Sequence, residues 1–228
     1  MRLVFETDSH RLFYFGHGLV GGYLLVDQDR AVLVDTGLPG ELPDILKGLT
    51  GLELEAILLT HGHIDHAGNA FTIRQRHPVP VYAHPADQAH IDQVYPYRGW
   101  TRLCGWLEGS AAWRHDYRPV TIDHPLEDGQ HLPFWGGLEV VHLPGHTVGH
   151  CGFYSRSHRL LLAGDLFACY FGGAWRPPFY FNSRPNLLRA TYRRVASLPL
   201  DHVFPCHWLG TRRERLVPAL RARLEQWS

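Results

Sequence analysis

Lysine is almost missing from this 228-residue chain: Lys47 stands alone, and arginine carries the remaining fixed positive charge. Twenty-two basic side chains face twenty-two acidic ones, for a formal net charge of zero. With neither sign in excess, the whole-chain field draws it neither to nucleic acid nor to an anionic bilayer. Long apolar runs are missing as well. No stretch approaches the roughly 18 residues that span a membrane. Glu6, Asp8 and His10 interrupt the start, "MRLVFETDSHRLFYF", where a signal peptide would stay apolar. Cys104, Cys151, Cys169 and Cys206 form no C-x-x-C pair and are too few for a disulfide framework, so buried thiols are expected. These absences lead us to expect a soluble cytoplasmic protein, monomer or homodimer, whose partner is a small-molecule substrate, with no nucleic acid and no membrane.

What is present is apolar mass and histidine. Hydrophobic residues make up 45% of the chain, including seven Trp, ten Tyr and eleven Phe, enough for a sizeable core. "LVF", "RLFYF", "GGYLLVD" and "AVLVDTG" read as strands between Gly and charged turns. "ELPDILKGL" reads as a short helix, "EAILLT" as a buried strand, residues 65–76 as a helix, and "ADQAHIDQV" as another. Strands return at "LEVVHLP", "CGFYS" and "RLLLAGD". An aromatic loop, "LFACYFGGAWRPPFYFN", then leads to a helix near 185–197 and the strand "HVFPC". Leu216, Leu220 and Leu224 mark one face of a final helix. Helices between buried strands mean a layered α/β domain. One domain over 1–228 is expected, with an aromatic-rich insertion around 94–118 that follows no period.

The histidines are not scattered evenly. "LLTHGHIDHAGNA" puts His61, His63, Asp65 and His66 within six positions. "VVHLPG" ends at His146, "LLLAG" at Asp165 and "HVFPC" at His207, so four strands each deliver a metal-capable residue at the carboxyl end. That edge is where sites form in layered α/β folds. One ion needs three or four such groups, and seven suit two ions sharing a carboxylate. Imidazole with carboxylate favours Zn, Fe or Mn over Ca or Mg. Asp35, in "VLVDTG", is open to two readings, a support for a ligand or a turn cap. His77, His90, His115, His124 and His158 are expected at the surface or in loops, and His84 and His142 in structural roles.

"THGHIDHAGN", "LPGHTVGH", "LLAGD" and "PCH", with "VLVDTG" upstream, resemble the metallo-β-lactamase superfamily in composition and order, from about residue 20 to 210. The resemblance implies a four-layer αβ/βα sandwich, two mixed β-sheets flanked by helices, with the metals at the edge between the sheets. By that pattern His61, His63 and His146 hold one divalent ion and Asp65, His66 and His207 a second, with Asp165 bridging. Zn2+ is the expected ion, with Fe or Mn as alternatives.

Two adjacent cations lower the pKa of a shared water, so a metal-bridging hydroxide is the expected nucleophile, with Asp65 as its catalytic partner. A secreted β-lactamase would carry an export signal and often cysteine where Asp165 stands. The nuclease branch brings extra domains and basic surface. Glyoxalase-II-type thioester hydrolases are similar in the metal motifs, but their pattern includes a longer C-terminal helical portion, and about 21 residues follow His207 here. A small thioester or lactone is therefore the expected substrate, bound by Tyr170, Trp175 and Arg176. Persulfide dioxygenases share the motifs but use one iron, for which His61, His146 and Asp165 would serve. That oxidoreductase reading is the alternative.

Overall fold

The computed structural model describes residues 1–16, 20–93, 102–103 and 117–228. Nearly all of the aromatic-rich insertion expected around 94–118 lies outside the described residues, as does Cys104.

Strands covered on both faces need near-continuous apolar runs, and the chain uses its runs that way. β1 (Arg2–Glu6), β2 (His10–Phe15), β3 (Gly22–Asp27) and β4 (Arg30–Val34) form an antiparallel meander. The parallel strands β5 (Glu53–Leu58), β6 (Val81–Ala83) and β7 (His124–Pro125) extend it. Alternate side chains leave a strand toward opposite faces. Leu24, Val26, Leu33 and Ile57 pack on one face with Ile45, Ile73 and Ile91. These isoleucines come from helices α1 (Leu42–Gly48), α3 (Ala70–Arg76) and α4 (Gln88–Ile91), with α2 (Ile64–Ala67) preceding α3. Tyr23, Leu25, Val32 and Leu58 project from the opposite face into a second, larger core.

That core is shared with a second sheet. β8 (His131–Leu132), β9 (Leu138–His142), β10 (Cys151–Ser155) and β11 (Leu160–Gly164) run antiparallel, and β14 (His202–Pro205) joins β11 in parallel. Tyr192 and Val195 of α5 (Leu188–Ala196) complete the core with Leu216, Leu220 and Leu224 of α6 (Leu216–Trp227). The result is the α/β sandwich of helix, sheet, sheet and helix. None of the described helices is long and apolar enough to cross a membrane.

Two local expectations need correction. The segment read as an aromatic loop forms β12 (Ala168–Tyr170) and β13 (Gly173–Trp175), which with β15 (Trp208–Leu209) make a third, small sheet. Its two-residue turn, Phe171-Gly172, has φ of 49° and 87°, the mirror-image turn geometry that suits strand twist. The helix expected over 65–76 is broken into α2 and α3. There the Asn69 amide donates to the carbonyls of Thr36 and Leu38, each at 2.6 Å, and its backbone N–H donates to Thr36 Oγ1.

Direction then places the donors. β4 and β5 run parallel, as do β11 and β14, and β9 shares the direction of β11 through the antiparallel β10. Donor-bearing loops of the second sheet therefore leave from one edge. Bonds from Tyr23 Oη to the Pro205 carbonyl (2.6 Å) and from the Cys151 N–H to the Thr60 carbonyl (2.8 Å) tie that edge to the first sheet.

Candidate metal centre

His61 and His63 lie in the loop after β5, and His146 in the turn after β9. His63 Nδ1 is 3.1 Å from both His61 Nε2 and His146 Nε2. An ion with tetrahedral bonds of about 2.0–2.1 Å to nitrogen separates its ligand nitrogens by roughly 3.3 Å, so the trio has the spacing of a coordination shell. Burial holds His61 and His63 well below the usual imidazole range, helped by the neighbouring imidazoles, and lowers His146 as well. Neutral rings keep the lone pairs that an ion needs.

Asp65 in the first turn of α2, His66 beside it and His207 after β14 make a second group. Asp65 Oδ2 is 3.7 Å from His66 Nε2 and 3.6 Å from His207 Nε2. Asp165 stands between the groups. Its Oδ2 is 3.4 Å from His146 Nε2 and 3.0 Å from His207 Nε2, and its Oδ1 is 3.3 Å from His66 Nε2. Burial works against the charge on Asp165, yet His207 and His66 hold its carboxyl well below the usual range. Burial equally opposes protonation of His66 and His207, but the carboxylates, Asp165 foremost, raise both. His66 Nε2 and Asp165 Oδ1 are buried facing each other, with no well-formed hydrogen bond to any third group. Buried polar atoms so poorly bonded are costly, and a cation placed against them would relieve that cost. The donor set fits divalent metal.

A second ring of bonds aims the donors. Asp35 is fully buried and left-handed (φ 60°), and its carboxylate accepts from the Thr60 N–H and Oγ1 at 2.7 Å, from His66 Nδ1 at 2.9 Å and from Cys206 Sγ at 3.1 Å. Of its two readings, the bond to His66 Nδ1 favours support for an expected ligand over a turn cap. Asn182 Oδ1 lies 2.9 Å from His146 Nδ1, and His150 Nε2 accepts the Asp165 N–H at 2.9 Å. Sequence reasoning singled out neither. His150 had a signal, the second histidine of "HTVGH", and Asn182 had none. His90, expected at the surface or in a loop, is buried with its ring 4.8 Å from that of His63. His84 and His142 stack face to face at 4.5 Å, a structural role.

All seven expected donors thus meet, and five of them, His63, Asp65, His146, Asp165 and His207, line a cavity of about 540 Å³. Its remaining wall is mostly apolar, including Val20, Leu38, Ile64, Phe167, Pro177 and Phe181, and it contains Tyr170, Trp175 and Arg176. Burial, together with the Asp165 and Asp65 charges, pushes the Tyr170 hydroxyl up to about 12, so it stands as a phenol donor. The Arg176 guanidinium lies 5.5 Å from the ring centroids of both Tyr192 and Trp227, held by cation–π contact.

Sheets meeting at an edge crowded with imidazoles and carboxylates define a metal-dependent enzyme class. The chain belongs to the metallo-β-lactamase superfamily, whose family model matches residues 20–207. A hydroxyacylglutathione hydrolase of Aeromonas salmonicida is 30% identical over 186 residues, covering 81% of this chain and 59% of that enzyme. The chain therefore matches under two thirds of that relative's length. The probable metallo-hydrolase YqgX of Bacillus subtilis is 29% identical over 184 residues, 78% of this chain and 79% of that protein. Among solved structures, a metallo-β-lactamase family protein of Thermus thermophilus superposes with a TM-score of 0.73 at 24% identity, covering 94% of this chain and 77% of that one. TTHA1623, solved in a di-iron-bound form, superposes with a TM-score of 0.63 at 28% identity, covering 98% of each.

Proposed function

We propose that this protein is a metal-dependent hydrolase of a small thioester or lactone, working at the seven-donor cluster. The observation that carries the reading is the convergence of the cluster with a phenol donor in one largely apolar cavity. In this reading His61, His63 and His146 would hold one divalent ion and Asp65, His66 and His207 a second, with Asp165 standing between the two groups. Bound there, the ions supply Lewis acidity and bring the pKa of water toward neutrality.

The chain's own side chains do the rest. Asp65, whose carboxylate is partly open to the cavity, accepts the proton of the attacking water and passes it to the leaving sulfur or oxygen. Water thereby adds across the acyl bond, giving a carboxylic acid and a thiol or hydroxyl. Tyr170 donates to the carbonyl oxygen as negative charge develops on it. Trp175 and the prolines beside it take the apolar part of the acyl group, and Arg176 suits a substrate carboxylate. The hydroxyacylglutathione hydrolases among the relatives support the thioester arm.

The test combines metal content by mass spectrometry, on protein purified without chelator or metal column, with a screen of thioesters and lactones. We expect close to two ions per chain and hydrolysis of at least one class. Tyr170→Phe should lower kcat about 10-fold or more with a smaller change in KM, the mark of a bond made in the transition state. One iron per chain, no hydrolysis and dioxygen consumption with a persulfide would overturn the proposal in favour of the oxygenase reading.

A further inference from the structure

The trio His61, His63 and His146 comes from two loops on two different sheets, so something must set the gap between them. Asp87, in the turn entering α4, is fully buried and does not line the cavity, and its carboxylate bonds to neighbours of the donors. Its Oδ2 accepts from the N–H of Gly62, the residue between His61 and His63, at 3.0 Å and from Thr147 Oγ1, next to His146, at 2.6 Å. Its Oδ1 accepts from the Gly149 N–H at 2.7 Å. One carboxylate therefore bonds both ligand loops at once, adjacent to the donors.

The glycines confirm how closely the parts are fitted. A Cβ on Gly62 would lie 2.7 Å from the Asp87 carbonyl and 2.9 Å from the Ile91 nitrogen, so the 87–91 turn rests directly on the His61–His63 loop. A Cβ on Gly149 would lie 2.8 Å from Asp87 Oδ1. His90, from the same turn, sets its ring edge-to-face against His63.

We infer that Asp87 is a positioning residue, a clamp that holds the His61–His63 loop and the His146 loop at coordination distance before any ion arrives. The inference rests on the metal-site reading above. Asparagine cannot replace the carboxylate. Whichever way the amide is turned, its NH2 faces a backbone N–H, that of Gly62 or that of Gly149, and two donors confront each other.

The test is titration of metal-free protein with Zn2+ by calorimetry, with no substrate present. Asp87→Asn should weaken zinc binding at the trio about 10–100-fold, as loss of outer bonds around a metal site does. Thr147→Val, which keeps the carboxylate and removes one bond, should weaken it several-fold and guards against a poorly folded Asp87 variant. Leu220→Ala, a core change far from the clamp, controls for stability and should bind zinc as the parent does. Parental affinity in both Asp87→Asn and Thr147→Val overturns the clamp, as does a loss in Leu220→Ala equal to that in Asp87→Asn. A His63→Ala variant with undiminished zinc binding overturns the site reading itself, and the clamp with it.

Discussion

The Asp35 carboxylate takes four hydrogen bonds, one of them from His66, which makes it a place where one atom's change should be felt. Asp35→Asn replaces an acceptor of His66 Nδ1, Thr60 and Cys206 by a group that is half donor. We expect divalent-ion affinity to fall about 10–100-fold, read by calorimetry on the metal-free protein. Gly164 is a different kind of constraint. It sits at φ 51° just before Asp165, and a Cβ there would lie 2.6 Å from His150 Nε2 and 2.9 Å from the Thr60 side chain. Gly164→Ala should cost about 1–3 kcal/mol from backbone strain alone, seen as a lower denaturation midpoint in urea.

Among the elements, those that follow from local pattern were legible. Runs such as "YLLV" and "AILL" gave central strands because both faces of the first sheet are covered. Four of the donors, His61, His146, Asp165 and His207, were legible for the same reason, since each follows such a run. His63, Asp65 and His66 were legible from their spacing beside His61. Leu216, Leu220 and Leu224 of α6 are buried as their spacing required, and Leu220→Ala should lower stability by about 2–5 kcal/mol, measured by equilibrium unfolding. What stayed hidden depends on partners distant in the chain. The break between α2 and α3 needs Asn69 to find Thr36, and the roles of Asn182 and Asp87 need His146 and Gly149 to arrive beside them. The β12–β13 hairpin was hidden differently: its strands are three residues long, and its turn is Phe-Gly where Asn-Gly would have announced it.

For the molecule as a whole, protons and ions compete for the same groups. In the metal-free protein burial lowers His61, His63, His84, His90, His146, His150, His158 and His202, with His90 and His150 brought to about 3. Among the described histidines only His66 and His207 are raised, and these favour the folded state below their ordinary pKa. Below pH about 6.5 the unfolded chain takes up protons that the eight lowered rings refuse when folded. Stability of the metal-free protein should therefore fall as pH drops from about 7 toward 5, measured by urea unfolding at stepped pH. A stability that rises toward acid would mean that the two raised histidines dominate.

The division of the donors between two sheets also has a meaning in time. His61, His63, Asp65 and His66 are made in the first third of the chain, and His207 only after about nine-tenths of it. Synthesis runs from the N-terminus, and strands pair only once their partners exist. A nascent chain thus carries an exposed imidazole cluster for most of its manufacture and acquires a closed site only near the end. An ion that needs the whole donor set can be held only once the seam between the sheets is complete.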